Sequence, residues 1–298
     1  MRVEICDVSP RDGLQNVSTF VPVHTRAALV TRLVAAGVNH VEAVSFVSPR
    51  RVPAMDGAEQ VLESITPENG ITYAGLVLND KGYARFRTTM LNEVRLVISC
   101  SESFSNANVN ASVSEAILMA ERITKLARQD GRRVSIALAV AFGCPFEGAI
   151  APSGVIRLAE RVAAMRPDEL VLADTIGVAV PQQVRELATV LTDLDVPIGV
   201  HFHDTRNTGI ANALEALERG VQLFDASCGG TGGCPFAPGA TGNVATEDLA
   251  YVFERQGIDT GIDLDLLIEV ARWLSTVLDA PLGGHLHRSG PGLLRPRR

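Results

Sequence analysis

Eight short runs of β-branched and apolar residues recur along this chain, and their regular alternation with segments of helical period limits the fold to very few architectures. The runs are "RVEICDV" (2–8), "HVEAVSF" (40–46), "TYAGLVL" (72–78), "EVRLVIS" (93–99), "VSIALAV" (134–140), "ELVLAD" (169–174), "PIGVHFH" (197–203) and "QLFDAS" (222–227). Between them lie apolar positions at helical spacing over 25–36, 112–129, 153–165, 181–194 and 207–219, several closed by a glycine such as Gly37, Gly131 or Gly220; glycine suits the left-handed residue that ends a helix. Strands alternating with helices imply a parallel sheet. No G-x-G-x-x-G fingerprint follows the first strand, which argues against an open, doubly wound sheet. The chain is therefore expected to be α/β, a (β/α)8 TIM barrel with additional C-terminal helices, forming one domain over residues 1–280. The Gly-, Pro- and Arg-rich stretch 281–298 is expected to be a flexible tail. Its His285 and His287 follow two glycines with no strand to hold them, so no ligand role is expected there.

Composition narrows the partners. With 46% hydrophobic and 20% charged residues the chain can bury a large core, and a net charge of −7 without a basic stripe argues against a nucleic-acid surface. Arg50-Arg51 and Arg132-Arg133 remain local candidates for anion contacts. No long uncharged apolar segment is present, and the N-terminus lacks a signal-peptide pattern, so neither membrane insertion nor export is expected; a cytoplasmic location is. Five widely spaced cysteines without a C-x-x-C pair indicate neither a disulfide framework nor a structural zinc site.

A barrel enzyme carries its chemistry at the C-terminal ends of its strands. Polar residues gather at those positions: "SPRDGLQN" after the first strand, Glu42 and Ser45 in the second, Asn79-Asp80 after the third, Asp174-Thr175 at the sixth, and "HFHDT" at the seventh. Residues i and i+2 of a strand share a face, so His201 and His203 both project into the barrel mouth and can occupy neighbouring positions on one metal. Two hydrogen-bonded structural histidines are the alternative. Asp12 and Asp174 add hard oxygen donors at the same rim. A mixed nitrogen and oxygen set without thiolate suits Mg²⁺ or Mn²⁺, and less specifically Zn²⁺ or Fe²⁺. Arg11 precedes Asp12 and could hold an oxygen that gains charge during reaction, or pair with Glu42, or both. After the eighth strand, "CGGTGGCPFAPGATGN" (228–243) sets Cys234 on a glycine-rich loop able to close as a flap, where a thiol suits proton transfer or nucleophilic work; a phosphate cradle is the competing reading.

Taken together, "PRDGLQN" (10–16), "VEAVSFVSPRRVPAM" (41–55), "GCPFEG" (143–148), "ADTIGV" (173–178), "HFHDT" (201–205), "GGCPFAPGATGN" (232–243) and "ATEDLAYV" (245–252) resemble the 3-hydroxy-3-methylglutaryl-CoA (HMG-CoA) lyase family of metal-dependent TIM-barrel lyases. The resemblance extends to about residue 280. It implies retro-Claisen cleavage of an acyl-CoA substrate, HMG-CoA, to acetyl-CoA and acetoacetate, as in leucine and ketone-body catabolism. Asp12, His201, His203 and Asn243 would bind Mg²⁺ or Mn²⁺. Arg11, held by Glu42, would stabilise the enolate oxygen, Asp174 would orient or help deprotonate the hydroxyl, His201 would belong to the catalytic set, and Cys234 would act in proton transfer. Glu247 would support the site from behind. The resemblance also implies a homodimer or higher homo-oligomer. Val17-Ser18, Arg206-Asn207 and Ala173 depart from the family pattern and leave room for an acyl-CoA with a different C3 substituent.

Overall fold

A run that is buried at every residue must be covered on both faces, and β2 (His40–Ser45) and β6 (Glu169–Asp174) are buried throughout. The computed structural model, which describes residues 1–233 and 242–292, shows how this is achieved. In order, β1 (Glu4–Asp7), β2, β3 (Thr72–Leu76), β4 (Glu93–Ser99), β5 (Arg133–Ala139), β6, β7 (Ile198–Phe202) and β8 (Leu223–Ala226) pair in parallel and close into a barrel, β8 returning to β1. All eight expected runs are strands, with ends displaced by no more than two residues. One irregularity, an extra residue of β2 between Glu42 and Val44 in the register with β3, falls where the strand enters the site.

Helices surround the barrel: α1 (Val23–Ala35), α2 (Ala58–Glu63), α3 (Asp80–Phe86), α4 (Glu102–Val109), α5 (Val113–Gln129), α6 (Pro152–Ala163), α7 (Pro181–Leu191) and α8 (Gly209–Glu218), of which α1, α5, α6, α7 and α8 fall on the five expected segments. Proline opens α6 and α7, where its missing N–H costs nothing. A capping box opens α5: Ser112 Oγ accepts from the Glu115 N–H, and the Glu115 carboxylate accepts from the Ser112 N–H. Gly37 and Gly131, with φ of +87° and +67°, terminate α1 and α5 in the left-handed conformation.

Beyond β8 come α9 (Thr246–Arg255), α10 (Leu264–Leu278) and α11 (Leu286–Ser289). The expectation of a wandering tail needs correction for 282–289. Leu282, Leu286 and His287 are buried, the Gly284 N–H donates to the Gly229 carbonyl (2.9 Å), and Asp248 accepts from the backbone of His285 and Leu286. Interspersed leucines anchor the segment despite its glycines, a signal the composition of 281–298 obscures. Residues 293–298 lie outside the described residues.

Glu247 lies beneath this segment, wholly buried, one oxygen accepting from the Gly229 N–H (2.9 Å) and the other 4.0 Å from His287 Nδ1. Burial pushes its carboxyl up to about 8. A carboxyl that holds its proton more tightly in the folded chain stabilises the fold fully below the unfolded value, near 4.5, and loses that contribution as pH rises through about 8. Glu247→Gln keeps the shape without the ionisation. Its melting temperature relative to the parent is expected to rise steadily between pH 5 and 8.5, by an amount reflecting a few kcal/mol. A difference that stays constant over that range would show that Glu247 is ionised in the fold.

Candidate active site

The site begins with a single π-helical turn, Ser9–Gly13, at the end of β1. Such turns are rare and cluster at functional positions. Asp7 fixes it from below: its carboxylate accepts from the Ser9 N–H (2.8 Å), the Ser9 hydroxyl (2.5 Å) and the Thr246 hydroxyl (2.6 Å). Gly13 is required because a Cβ there would run into the Thr231 and Ser227 hydroxyls. The turn presents Arg11 and Asp12 to the cavity at the barrel mouth.

Across the mouth, β7 delivers His201, and His203 follows directly after its end, with ring centroids 5.3 Å apart. One ligand atom each from Asp12, His201 and His203 lie within 4.8 Å of one another. Asn243, bridged to His203 in antiparallel fashion, donates through Nδ2 to Asp12 Oδ2 (2.8 Å) and to the Thr231 carbonyl (3.0 Å). Close approach is possible because Gly232 (φ +118°) carries no Cβ; one would lie 2.6 Å from Asn243 Nδ2.

Whether these residues fit a metal is decided by what they leave unsatisfied. Among the described residues, Asn243 Oδ1 and His203 Nδ1 are both buried without a hydrogen-bond partner, an arrangement that costs free energy unless a cation or solvent completes it. Burial lowers the His203 imidazole to about 4, so it is neutral near pH 7, as a ligand must be. Burial opposes ionisation of Asp12, but the Arg11 charge and the two imidazoles outweigh it and hold the carboxyl below its usual range. Burial likewise opposes a proton on His201, yet its hydrogen bond to Asp225 and the charges of Asp225 and Asp12 raise it; the same field favours a cation. The residues fit a hard divalent ion.

A second buried group, His40, Glu93 and Glu169, has similar spacing but does not fit one. Both His40 nitrogens are taken, by Glu4 (2.7 Å) and Glu93 (3.0 Å), and Arg95 stands 3.8 Å from Glu169. These are paired buried charges filling the barrel interior.

The remaining expected residues divide. Glu42, fully buried, accepts from Arg11 (2.7 Å), which is the expected pairing, and Arg11 also donates to Asp12 (2.7 Å). Asp174 is not brought into the cluster: its two oxygens accept from the Val178 (2.9 Å) and Ala179 (3.0 Å) amides, and it fixes the loop after β6 instead of supplying a donor at the rim. Arg206 donates to the Ile176 and Gly177 carbonyls of that same loop. Glu247 stands behind the Gly229 turn, away from the mouth. Cys234 lies outside the described residues.

Two residues that motif reading passed over complete the site. Asp225 of β8 accepts from His201 Nδ1 (3.1 Å) and pairs with both terminal nitrogens of Arg95 from β4 (2.9 Å each). Burial works against the Asp225 carboxylate, but Arg95 holds its carboxyl well below the ordinary range. The available signal was a charge in the middle of an apolar strand, in "EVRLVIS" and "QLFDAS". Val140 was also missed. It is fully buried with φ of +55°, costly for a β-branched residue, and its N–H donates to the hydroxyl of Thr175, which lines the cavity.

The cavity holds about 840 Å³ and runs from Arg51 and Asn108 at its mouth past Asp12 and His203 to Ser135 and Arg95 inside the barrel. A parallel eight-stranded barrel with a metal-competent cluster and an arginine at the C-terminal rim of its strands is the architecture of a barrel enzyme with its site in the usual place. A family model described as HMGL-like matches residues 2–274, and the chain belongs to that family, whose lyases it resembles over nearly its full length. It is 42% identical to the (R)-citramalyl-CoA lyase of Chloroflexus aurantiacus, over 97% of this chain and 95% of the relative. It is 38% identical to the hydroxymethylglutaryl-CoA lyase of Pseudomonas mevalonii, over 98% and 96% respectively. A solved HMG-CoA lyase from A. baumannii, in complex with coenzyme A and 3-methylmalate, superimposes with a TM-score of 0.94 at 38% identity, covering 100% of this chain and 98% of that one.

Proposed function

We propose that this lyase cleaves the C2–C3 bond of a 3-hydroxyacyl-CoA, with HMG-CoA as substrate and acetyl-CoA and acetoacetate as products. The observation carrying this reading is the convergence of Asp12, His201 and His203 with the unpaired Asn243 Oδ1, beside an arginine tied down on two sides. One carboxylate, two imidazoles and an amide oxygen suit Mg²⁺ or Mn²⁺, which when bound lowers the pKa of a hydroxyl and orients a neighbouring carboxylate.

Asp12 and Glu42 fix the Arg11 guanidinium from two sides, leaving its Nε–H without a partner among the described residues. A donor held in this way stabilises charge without reorganising as the charge forms. In the reaction the C3 hydroxyl gives up its proton, the C3–O bond becomes a carbonyl, and the C2–C3 electron pair passes to the thioester as an enolate whose oxygen Arg11 receives. The Asp12 carboxylate takes the hydroxyl proton. Asp174 takes no part in this step, because its neighbours Ala173 and Thr175 line the cavity while its own carboxylate turns to the Val178 and Ala179 amides. The Cys234 thiol returns a proton to C2 to complete acetyl-CoA. Arg51 at the cavity mouth offers a cation to the coenzyme phosphates. The solved relative with bound coenzyme A supports a CoA thioester as the substrate class.

A second reading has its own support. The 42% identical relative is named for citramalyl-CoA, and the solved relative holds 3-methylmalate. Both acids are one methylene shorter in the backbone than 3-hydroxy-3-methylglutarate, and cleavage of citramalyl-CoA would release pyruvate. Turnover of HMG-CoA and of both citramalyl-CoA enantiomers, with acetoacetate and pyruvate measured separately, decides between them. Acetoacetate release that EDTA abolishes and Mn²⁺ restores is expected. Pyruvate release without HMG-CoA turnover would establish the second reading, and no acetyl-CoA from any thioester would overturn both.

A further inference from the structure

The buried charges at the barrel mouth form an open ring. Asp12 accepts from Arg11 (2.7 Å), Arg11 donates to Glu42 (2.7 Å), and Glu42 lies 3.9 Å from Arg95. Arg95 grips Asp225 through two nitrogens (2.9 Å each), and Asp225 accepts from His201 Nδ1 (3.1 Å). Asp12 and His201 then face each other across the candidate cation position. The members come from the β1 turn, β2, β4, β8 and β7, and the two arginines and three carboxylates alternate in sign up to His201. Arg95 is the only one that touches both halves, with Glu42 on one side and Asp225 on the other.

We propose that Arg95 is a positioning residue that holds two separate parts of the active site at once: His201, through Asp225, and Arg11, through Glu42. The inference rests on the reading of Asp12, His201, His203 and Asn243 as cation ligands. A carboxylate gripped by an arginine fork can only accept from His201, so Nδ1 carries the hydrogen and Nε2 keeps its lone pair for a metal. On the other side, Glu42 has Arg95 as a second cation, so it can orient Arg11 without pulling it out of the mouth. Stability alone does not explain such an array, because buried ion pairs are often no more stabilising than well-packed apolar residues.

The two halves make the inference separable. Because His201 Nδ1 and one Arg95 nitrogen share the same Asp225 oxygen, Asp225→Asn sets its amide NH₂ against Arg95 in one orientation and against both Arg95 and His201 in the other, so the fork that backs the His201 contact is broken either way; Mn²⁺ affinity, read by calorimetry with the metal alone, is expected to fall roughly 10- to 100-fold. Arg95→Lys retains a charge but cannot fork onto Asp225 while reaching Glu42. It is expected to lower Mn²⁺ affinity comparably and, at saturating Mn²⁺, to lower kcat at least tenfold further than Asp225→Asn does, with KM for the thioester within about twofold. A purely structural role would lower the melting temperature while the folded fraction bound Mn²⁺ and turned over as the parent does. That result in both variants overturns the inference; if Arg95→Lys does not fold, wild-type Mn²⁺ affinity in Asp225→Asn does so alone. A parent protein that binds no Mn²⁺ would instead remove the reading of the site on which the inference stands.

Discussion

Replacing Arg11 by methionine is expected to cut kcat by roughly 10²- to 10³-fold while Mn²⁺ affinity stays within about tenfold of the parent. Methionine fills similar space but supplies no donor for the thioester oxygen. The loss should fall on kcat because that oxygen gains its charge only as the C–C bond breaks, so the contact is stronger in the transition state than in the bound substrate. The structure supports the second half of the expectation. Arg11 is not among the cluster donors, and Asp12 keeps its Asn243 hydrogen bond when the guanidinium is gone. Glu42 would still have Arg95 at 3.9 Å. Steady-state kinetics with a parallel Mn²⁺ titration tests both halves, and a variant with unchanged kcat would remove Arg11 from the chemistry.

The second large effect is on the cation itself. His203→Ala is expected to reduce Mn²⁺ affinity by roughly 100-fold or more, since removal of a direct ligand should exceed the 10- to 100-fold typical of an outer partner. Among the described residues, His203 Nδ1 is buried and unpaired, and the ring makes no hydrogen bond that would suggest a structural task. The protein should therefore stay folded, losing mainly the packing of one buried ring. Calorimetric titration with Mn²⁺, alongside a melting curve, reads the two effects separately. A folded variant with parental affinity would restore the alternative in which the two histidines are structural.

How much of this was legible in the chain depends on the kind of signal. The barrel was readable because its parallel strands are buried on both faces and so appear as near-continuous apolar runs, and because glycines mark helix ends where the backbone turns left-handed. His201 and His203 were readable because strand geometry alone places i and i+2 on one face. Asp174 misled for an instructive reason: its position at the end of β6 is where catalytic carboxylates occur, but which way the side chain points depends on the following loop, whose amides at Val178 and Ala179 capture both oxygens. Arg95 and Asp225 were passed over because a charge inside a strand has no motif; its meaning depends on partners more than a hundred residues away. The 282–289 segment was misjudged because glycine content hid Leu282 and Leu286, which its docking buries.

Crystals soaked in Mn²⁺ and measured at the manganese absorption edge test the central claim most directly. A single strong anomalous peak within bonding distance of Asp12, His201, His203 and Asn243, at roughly 2.0–2.3 Å from each donor, is expected. A well-ordered barrel with no peak there, or with its peak at His40, Glu93 and Glu169, would contradict it.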